Sequence, residues 1–232
     1  MGRDRHVQPS QLQEALERLN EALRERDRHL KIVAGGGFAL LVHGLRATND
    51  IDGFFEDTAD LRELVHDIGE QLTINDDGED WLNTSIAAMN DQPPDEYCSP
   101  VFTLSNITIS VPDLVYVIGM KEVAGRDQDQ EDIATIIRYL DLREPPDLIG
   151  ALESYGFYPD EAAILDGFGD AYGFEWLETY YLRDENANAD GIRVGHDARL
   201  LISRPSLPQP ITNLTRSAPP PTGEYDSGYT VE

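Results

Sequence analysis

The sequence has few cysteines, few lysines and no long apolar run, and two of these absences exclude whole classes of protein. Cys98 is the only cysteine in 232 residues, so the chain can form neither an internal disulfide nor a cysteine-based zinc site. No run of about 18 apolar residues is available to cross a membrane. The first residues, MGRDRHVQPS, lack the basic and then apolar pattern of a secretory signal. We therefore expect a cytoplasmic protein with no membrane partner.

The chain is also poor in basic residues. Eighteen Lys and Arg face 44 Asp and Glu, which gives a formal net charge of −26, and the only lysines are Lys31 and Lys121. Because nucleic-acid binding normally depends on clustered basic side chains, this composition argues against a nucleic-acid partner. An acidic, lysine-poor surface also suits a protein that stays soluble at high salt, where charges are strongly screened. The charge therefore reflects either the choice of partner or the salt content of the cell.

The hydrophobic pattern divides the chain into four segments. Leucines at helical spacing predict an amphipathic helix before residue 31, and the Pro-rich end of the chain has no periodicity. We expect an N-terminal helix in residues 1–30, a core that mixes helices and strands in 31–144, a helical appendage in 145–202, and a disordered, acidic, Pro-rich tail in 203–232.

Within the core, strands and helices follow one another in a readable order. The predicted strands cover residues 31–34, 47–55 and two halves of 101–111 around a turn at Ser105 and Asn106, and the predicted helices cover 38–43, 59–72, a stretch after Pro112, and 130–140. We expect residues 73–100 to form a loop with one short helix, and Pro145 and Pro146 to end the last helix of the core.

Two aspartates one residue apart stand in the second predicted strand. Side chains at i and i+2 leave the same face of a strand, so Asp50 and Asp52 lie about 6 to 7 Å apart along the chain. Like charges that close raise one pKa unless a cation or a strong donor offsets them. Carboxylate oxygens suit Mg²⁺ or Mn²⁺, so we predict a metal site at Asp50 and Asp52.

Three glycines, Gly35 to Gly37, precede the first helix of the core. Glycine lets backbone N–H groups approach phosphate oxygens, because no Cβ stands in the way. A glycine turn alone is more often only a turn. The two aspartates that follow at short distance strengthen the case for an anion site.

At this point the chain resembles a known family. The run GGGFALLVHGLRATNDID looks like the signature of minimal nucleotidyltransferases of the DNA polymerase beta superfamily, in particular the AbiEii-like group. A second stretch, IGMKEVAGRDQDQEDI, is similar to the Met-Lys helix and the acidic segment that follow in that family. The residues that match are Gly36, Gly37, Ala39, Leu40, His43, Gly44, Arg46, Thr48, Asp50 and Asp52, and then Met120, Lys121, Arg126, Asp127, Asp132 and Ile133.

The resemblance implies a small mixed sheet flanked by helices, an α/β (α+β) fold that moves a nucleoside monophosphate from a nucleoside triphosphate to an acceptor. It implies that Asp50 and Asp52 hold one or two Mg²⁺ or Mn²⁺ ions, and that Lys121 steadies the phosphates. Asp132 would orient Lys121 or touch the acceptor. The implied catalytic residues are Asp50, Asp52, Lys121 and Asp132, and the implied nucleotide-binding residues are Gly36, Gly37, Gly44, Arg46, Thr48 and Lys121.

The partners that the resemblance implies are a nucleoside triphosphate, an acceptor that is RNA, protein or a small molecule, and an antitoxin protein. Two departures from the family pattern leave an alternative open. Leu45 stands where most members carry a serine after the second glycine, and residues 101–111 contain no acid to serve as a third carboxylate. In this alternative, the chain is a degenerate nucleotidyltransferase that acts as a nucleotide- or protein-binding regulatory module.

Several matching residues also have purely structural interpretations. His43 ends an apolar helix and suits a cap or core position, and Trp81 suits packing. The charged residues from Arg126 to Asp132 suit a solvated helix face with i,i+3 pairs.

Overall fold

The computed structural model describes residue 7, residues 9–75 and residues 78–180. It confirms the expected small mixed sheet flanked by helices. The helices are α1 Pro9–Glu25, α2 Gly36–Val42, α3 Ala59–Leu72, α4 Leu114–Ala124, α5 Asp127–Tyr139, α6 Pro145–Ser154 and α7 Glu161–Tyr172. The strands are β1 Leu30–Ala34, β2 Ile51–Phe54, β3 Leu82–Asn83, β4 Cys98–Thr103 and β5 Ile107–Pro112, with short 3-10 helices at Ser85–Ala88 and Asp95–Tyr97.

The five strands form one sheet in the order β3-β2-β1-β5-β4. Strand β1 is antiparallel to β2 and parallel to β5, β3 is parallel to β2, and β4 is antiparallel to β5. Ala34 at the end of β1 pairs with Gly53, and the amide of Gly35 donates to the carbonyl of Asp52 at 3.0 Å. This register places the glycine turn and Asp52 at the same end of the sheet.

Helices pack on the sheet through the apolar positions that the sequence pattern predicts. Leu12, Leu16, Leu19 and Leu23 of α1 are all buried, as the helical spacing requires. The main hydrophobic cluster extends from α1 through β1 and β5 to Phe168 of α7, so α7 shares the core of residues 31–144. No helix among the described residues is both long and apolar enough to cross a membrane.

The smaller second cluster lies under the end of the sheet that carries Asp52. It contains Val33, Phe54, Ile86, Tyr116 and Met120. Its members come from β1, β2, the 3-10 helix after β3, and α4. Packing at this cluster therefore links the four segments that surround the candidate site.

Some predicted boundaries were wrong. Strand β2 begins at Ile51, so Asp50 directly precedes the strand, and β4 begins at Cys98 within the predicted loop. Strand β3 has only two residues, too few for a period-2 pattern to show. Pro145 and Pro146 begin α6, where proline suits the first turn because its missing N–H needs no partner there. Residues 181–202 of the predicted appendage and the predicted tail at 203–232 lie outside the described residues.

Candidate active site

Asp52 lies on β2 with its side chain half-buried at the end of the sheet. Its Oδ1 accepts a hydrogen bond from the backbone N–H of Ile86 at 2.8 Å. Burial raises the pKa of Asp52 to about 6, and repulsion from Asp50 acts in the same direction, against the hydrogen bond from Ile86. The attraction of Arg126 offsets only part of this rise in pKa, so a further cation would make the carboxylate easier to ionise.

Asp50 is held in place by hydrogen bonds to both of its oxygens. Thr48 Oγ1 donates to Oδ1 at 3.0 Å, and Asn83 Nδ2 on β3 donates to Oδ2 at 3.3 Å. A Cβ added at Gly37 would lie 2.6 Å from Thr48 Oγ1. Glycine at this position therefore lets the first turn of α2 pack closely against the threonine that orients Asp50.

Lys121 is buried at the interface between α4 and α5, where it is only 4% exposed. Its Nζ donates to Asp129 Oδ1 at 3.0 Å and to Asp132 Oδ2 at 2.6 Å. Arg46 Nη1 also donates to Asp132 Oδ2 at 2.6 Å, and Arg126 Nε donates to Asp129 Oδ2 at 2.8 Å. We call these five residues the charged network.

The charged network corrects the interpretation of α5 as a solvated charged face. Asp129 and Asp132 are buried, with 2% and 3% of their surface exposed. They share the inward face of α5 with Ile133 and Ile136 because side chains three and four residues apart lie on one side of a helix. Burying these two charges is tolerable only because cationic side chains pair with them.

The predicted site residues divide between two clefts. Gly36, Asp52 and Lys121 line a cavity of about 60 Å³, together with Arg126 and Asp129. Gly36 has a φ of +51°, and a Cβ added there would meet nothing within 4 Å, so its backbone borders open space.

A second cleft, of about 510 Å³, is lined by Arg46, Thr48 and Asp50. The contact between Arg46 and Asp132 joins this cleft to the charged network. Gly44 lies at the other end of α2 from Gly36, where its φ of +69° accompanies the end of the helix. The structure thus links all the predicted residues except Gly44 through these two clefts and the contacts between them, and it places Asp50 and Asp52 on different clefts.

Sequence reasoning missed the role of Asp129 and of the loop after β3. Asp129 stands eight residues after Lys121 and three before Asp132, and this spacing was the only available signal. Ile86 contacts Asp52 through its backbone N–H. Because a backbone donor is present whatever the side chain, the residue type at position 86 could not predict this contact. Trp81 is a packing residue, since it is 1% exposed and its Nε1 donates to the carbonyl of Val65 at 2.9 Å.

His43 caps the C-terminal end of α2, and burial lowers its pKa to about 4. Its ring nitrogens are buried and find no hydrogen-bond partner among the described residues. The ring packs edge-on against Tyr139, with centroids 5.9 Å apart. This environment suits a neutral, structural histidine.

The carboxylates fit a hard divalent ion that takes few protein ligands. The described residues contain no group of three or more His, Cys, Asp or Glu arranged to hold a metal. Asp50 and Asp52 supply two carboxylates, and Asp52 Oδ2 accepts no hydrogen bond from any residue that the structure describes. Mg²⁺ commonly binds one or two carboxylates and completes its shell with water and phosphate oxygens, so this donor set is compatible with it.

A comparison with protein families identifies the chain. A family model described as "Nucleotidyltransferase of unknown function (DUF6036)" matches residues 10–149, more than half of the sequence. The chain belongs to this family. The matched range of the DUF6036 model contains both clefts and the whole charged network. No curated protein and no solved structure matches the chain.

Proposed function

We propose that this DUF6036 member is an active, metal-dependent nucleotidyltransferase. An oxygen of the acceptor hydroxyl or phosphate forms a bond to the α-phosphorus of a nucleoside triphosphate while the bond from that phosphorus to the β-phosphate oxygen breaks. The nucleoside monophosphate is thereby transferred to the acceptor, pyrophosphate leaves, and the proton of an acceptor hydroxyl passes to solvent. One observation carries the proposal: Gly36, Asp52 and Lys121 come from three distant segments of the sequence and line the same cavity. We propose that the protein acts in the cytoplasm, where nucleoside triphosphates are available.

In this proposal Asp50 and Asp52 hold Mg²⁺ or Mn²⁺. When bound, the ion orients the triphosphate and offsets charge on the attacking and leaving oxygens. The chain prepares the two ligands differently. Asp50 is oriented by Thr48 and Asn83, and Asp52 is anchored by the N–H of Ile86 through one oxygen only.

The basic side chains supply the remaining contacts with phosphate. Lys121 is fixed by two buried carboxylates, so its ammonium group is held at the cavity wall at little further entropic cost. Asp132 orients both Lys121 and Arg46 through one oxygen. Arg46 and Thr48 line the larger cleft. Its volume of about 510 Å³ offers a substrate more room than the cavity of about 60 Å³.

The acceptor is RNA, a protein or a small molecule. The motif order supports an AbiEii-like assignment, in which the protein is the toxin component and an antitoxin protein is its partner. A net charge of −26 favours an acceptor other than RNA. High cellular salt would weaken that preference, because screening reduces the repulsion between acidic surface and phosphates.

A regulatory module that binds nucleotide or protein without turnover is the alternative. The specific observation in its favour is that Asp129 and Asp132 already neutralise Lys121. In addition, β4 and β5 carry no acidic residue that could act as a third carboxylate. Transfer of label separates this alternative from the proposed enzyme.

The test is transfer of label from each of the four nucleoside triphosphates, labelled at the α-phosphate, to RNA, protein and small-molecule acceptors with Mg²⁺. We expect Asp52→Asn and Asp50→Asn to reduce transfer at least about 100-fold, because each loses a charged metal ligand without a change of shape. Asp141→Asn is the matched control, since Asp141 pairs with Arg143 on the surface. Binding of nucleotide without transfer by the wild type would support the regulatory module instead.

A further inference from the structure

The hydrogen-bonding capacity of Lys121 is largely used within the protein. An ammonium group has three N–H donors, and two of them are directed to Asp129 and Asp132. Both acceptors are buried and charged, so a substrate that removed one of these bonds would leave a buried carboxylate unpaired. At most one donor of Lys121 remains for a phosphate.

Arg126, in contrast to Lys121, uses little of its hydrogen-bonding capacity within the protein. Its guanidinium is anchored at one nitrogen only, since Nε donates to Asp129 Oδ2 at 2.8 Å. The terminal nitrogens Nη1 and Nη2 donate to no residue that the structure describes. Of the five N–H donors of a guanidinium, four are therefore available. The side chain is 68% exposed and lines the same cavity as Gly36 and Asp52.

The charge of the network also favours an anion at this place. Three cationic side chains, Lys121, Arg46 and Arg126, face two carboxylates, Asp129 and Asp132, which leaves one positive charge. Arg46 and Lys121 are paired with buried acids. The remaining positive charge therefore lies on Arg126, whose side chain is largely exposed. Asp52 also attracts Arg126, and the cation proposed at Asp52 would offset that attraction.

We propose that Arg126 is the main phosphate-binding side chain of this cavity and that its terminal nitrogens donate hydrogen bonds to the phosphate oxygens of the nucleotide. This inference rests on the proposed function, and it assigns to Arg126 the contact that the family resemblance implies for Lys121. A planar guanidinium with both terminal nitrogens free binds two phosphate oxygens in parallel. Asp129 holds the guanidinium by its Nε, so little side-chain freedom is lost on binding.

Calorimetric titration of the full-length protein tests the proposal. The probes are Mg²⁺-tripolyphosphate, which has no base or sugar, and each of the four nucleoside triphosphates with Mg²⁺. We expect Arg126→Gln to weaken binding of tripolyphosphate and of the preferred triphosphate at least about tenfold, because charge-assisted hydrogen bonds are lost. Arg126→Lys keeps the charge but not the two-nitrogen geometry, so it should recover only part of the affinity.

Arg24→Gln is the matched control. Arg24 is 63% exposed and pairs with Glu21 three residues away on α1, as Arg126 pairs with Asp129 on α5. This variant should bind both probes as the wild type does. A loss of affinity equal to that of Arg126→Gln would show that any removal of positive charge suffices, and would overturn the proposal.

The failure of this inference is distinguishable from failure of the proposed function. If the wild type binds a triphosphate and Arg126→Gln binds it equally well, only the assignment of Arg126 is overturned. If the wild type binds neither tripolyphosphate nor any triphosphate, the proposed function is overturned with it. Should Arg126→Gln fail to fold, Arg126→Lys decides, since unchanged affinity in that variant contradicts a bidentate contact.

Discussion

Ionisation of the Asp52 carboxylate lowers the stability of the folded protein. The side chain is half-buried and stands near Asp50, and its pKa is raised from 3.8 to about 6. A folded-state pKa above the unfolded value means that folding favours the protonated acid. This contribution to stability is present below about pH 4 and is lost as the pH rises through about 6.

We therefore expect Asp52→Asn to be more stable than the wild type at pH 7.5 without divalent ions, by about 1 to 2 kcal/mol. One pKa unit corresponds to about 1.4 kcal/mol, and the partial exposure of the site reduces the full effect. Urea unfolding at pH 7.5 and at pH 5 measures the difference, which should be smaller at pH 5. Equal stability of the two proteins at pH 7.5 would contradict the expected penalty.

Addition of Mg²⁺ provides the internal control for this measurement. The ion should stabilise the wild type, because a ligand that binds only the folded state shifts the unfolding equilibrium. It should have little effect on Asp52→Asn, which lacks one of the two proposed ligands. A similar gain in both proteins would place the ion elsewhere.

Among the elements, the pairing of β1 with β2 decides where Asp52 lies. Gly53 pairs with Ala34, and a Cβ added at Gly53 would lie 2.9 Å from the carbonyl oxygen of Val33. Backbone atoms cannot move aside as the end of a flexible side chain can. Glycine usually weakens the interior of a strand, but the close approach of the Val33 carbonyl requires glycine at position 53.

We expect Gly53→Ala to lower the free energy of unfolding by about 1 to 3 kcal/mol, as overpacking of a tight contact does. Because the added methyl group pushes β2 from β1, nucleotide binding should weaken as well. Gly169→Ala in α7 is the control, since its Cβ would make only ordinary contacts at 3.7 Å or more and alanine favours a helix. Urea unfolding of both variants checks the prediction, and a Gly53→Ala variant as stable as the wild type would refute it.

The elements differ in how well the sequence predicted them, and the reason is length. Helices α1 and α3 have enough residues for a periodic apolar face, and α3 has the predicted bounds of 59–72. Strand β3 and the two 3-10 helices are too short to show any period. Their positions depend on pairing with β2 and packing on α4, which are contacts between distant segments.

For the whole molecule, the dominant property is a formal net charge of −26. Self-repulsion at this charge destabilises the compact state. The effect depends on ionic strength, because the Debye length falls from about 10 Å at 0.1 M salt to about 3 Å at 1 M. The stability measured in dilute buffer therefore applies only to low ionic strength.

We expect the melting temperature to rise by at least about 2 °C between about 0.1 M and 1 M KCl at pH 7.5, because screening weakens the repulsion by about 1 kcal/mol or more. Scanning calorimetry measures the shift. The control is the same pair of scans near pH 4.5, where many carboxylates are protonated and the gain should shrink. A melting temperature independent of salt at pH 7.5 would argue against self-repulsion as a limit on stability.

The sequence by itself determined the order of helices and strands and the resemblance to nucleotidyltransferases, because periodicity and short motifs are local properties. It singled out Asp50, Asp52 and Lys121 as candidates. Only the tertiary structure decided which charges are buried and paired. Asp129 became a partner of Lys121, and Arg126 acquired free terminal nitrogens beside Asp52, because α4 packs on α5 next to the end of β2. Contacts between segments so far apart in the chain follow from packing of the core, which spacing along one helix does not encode.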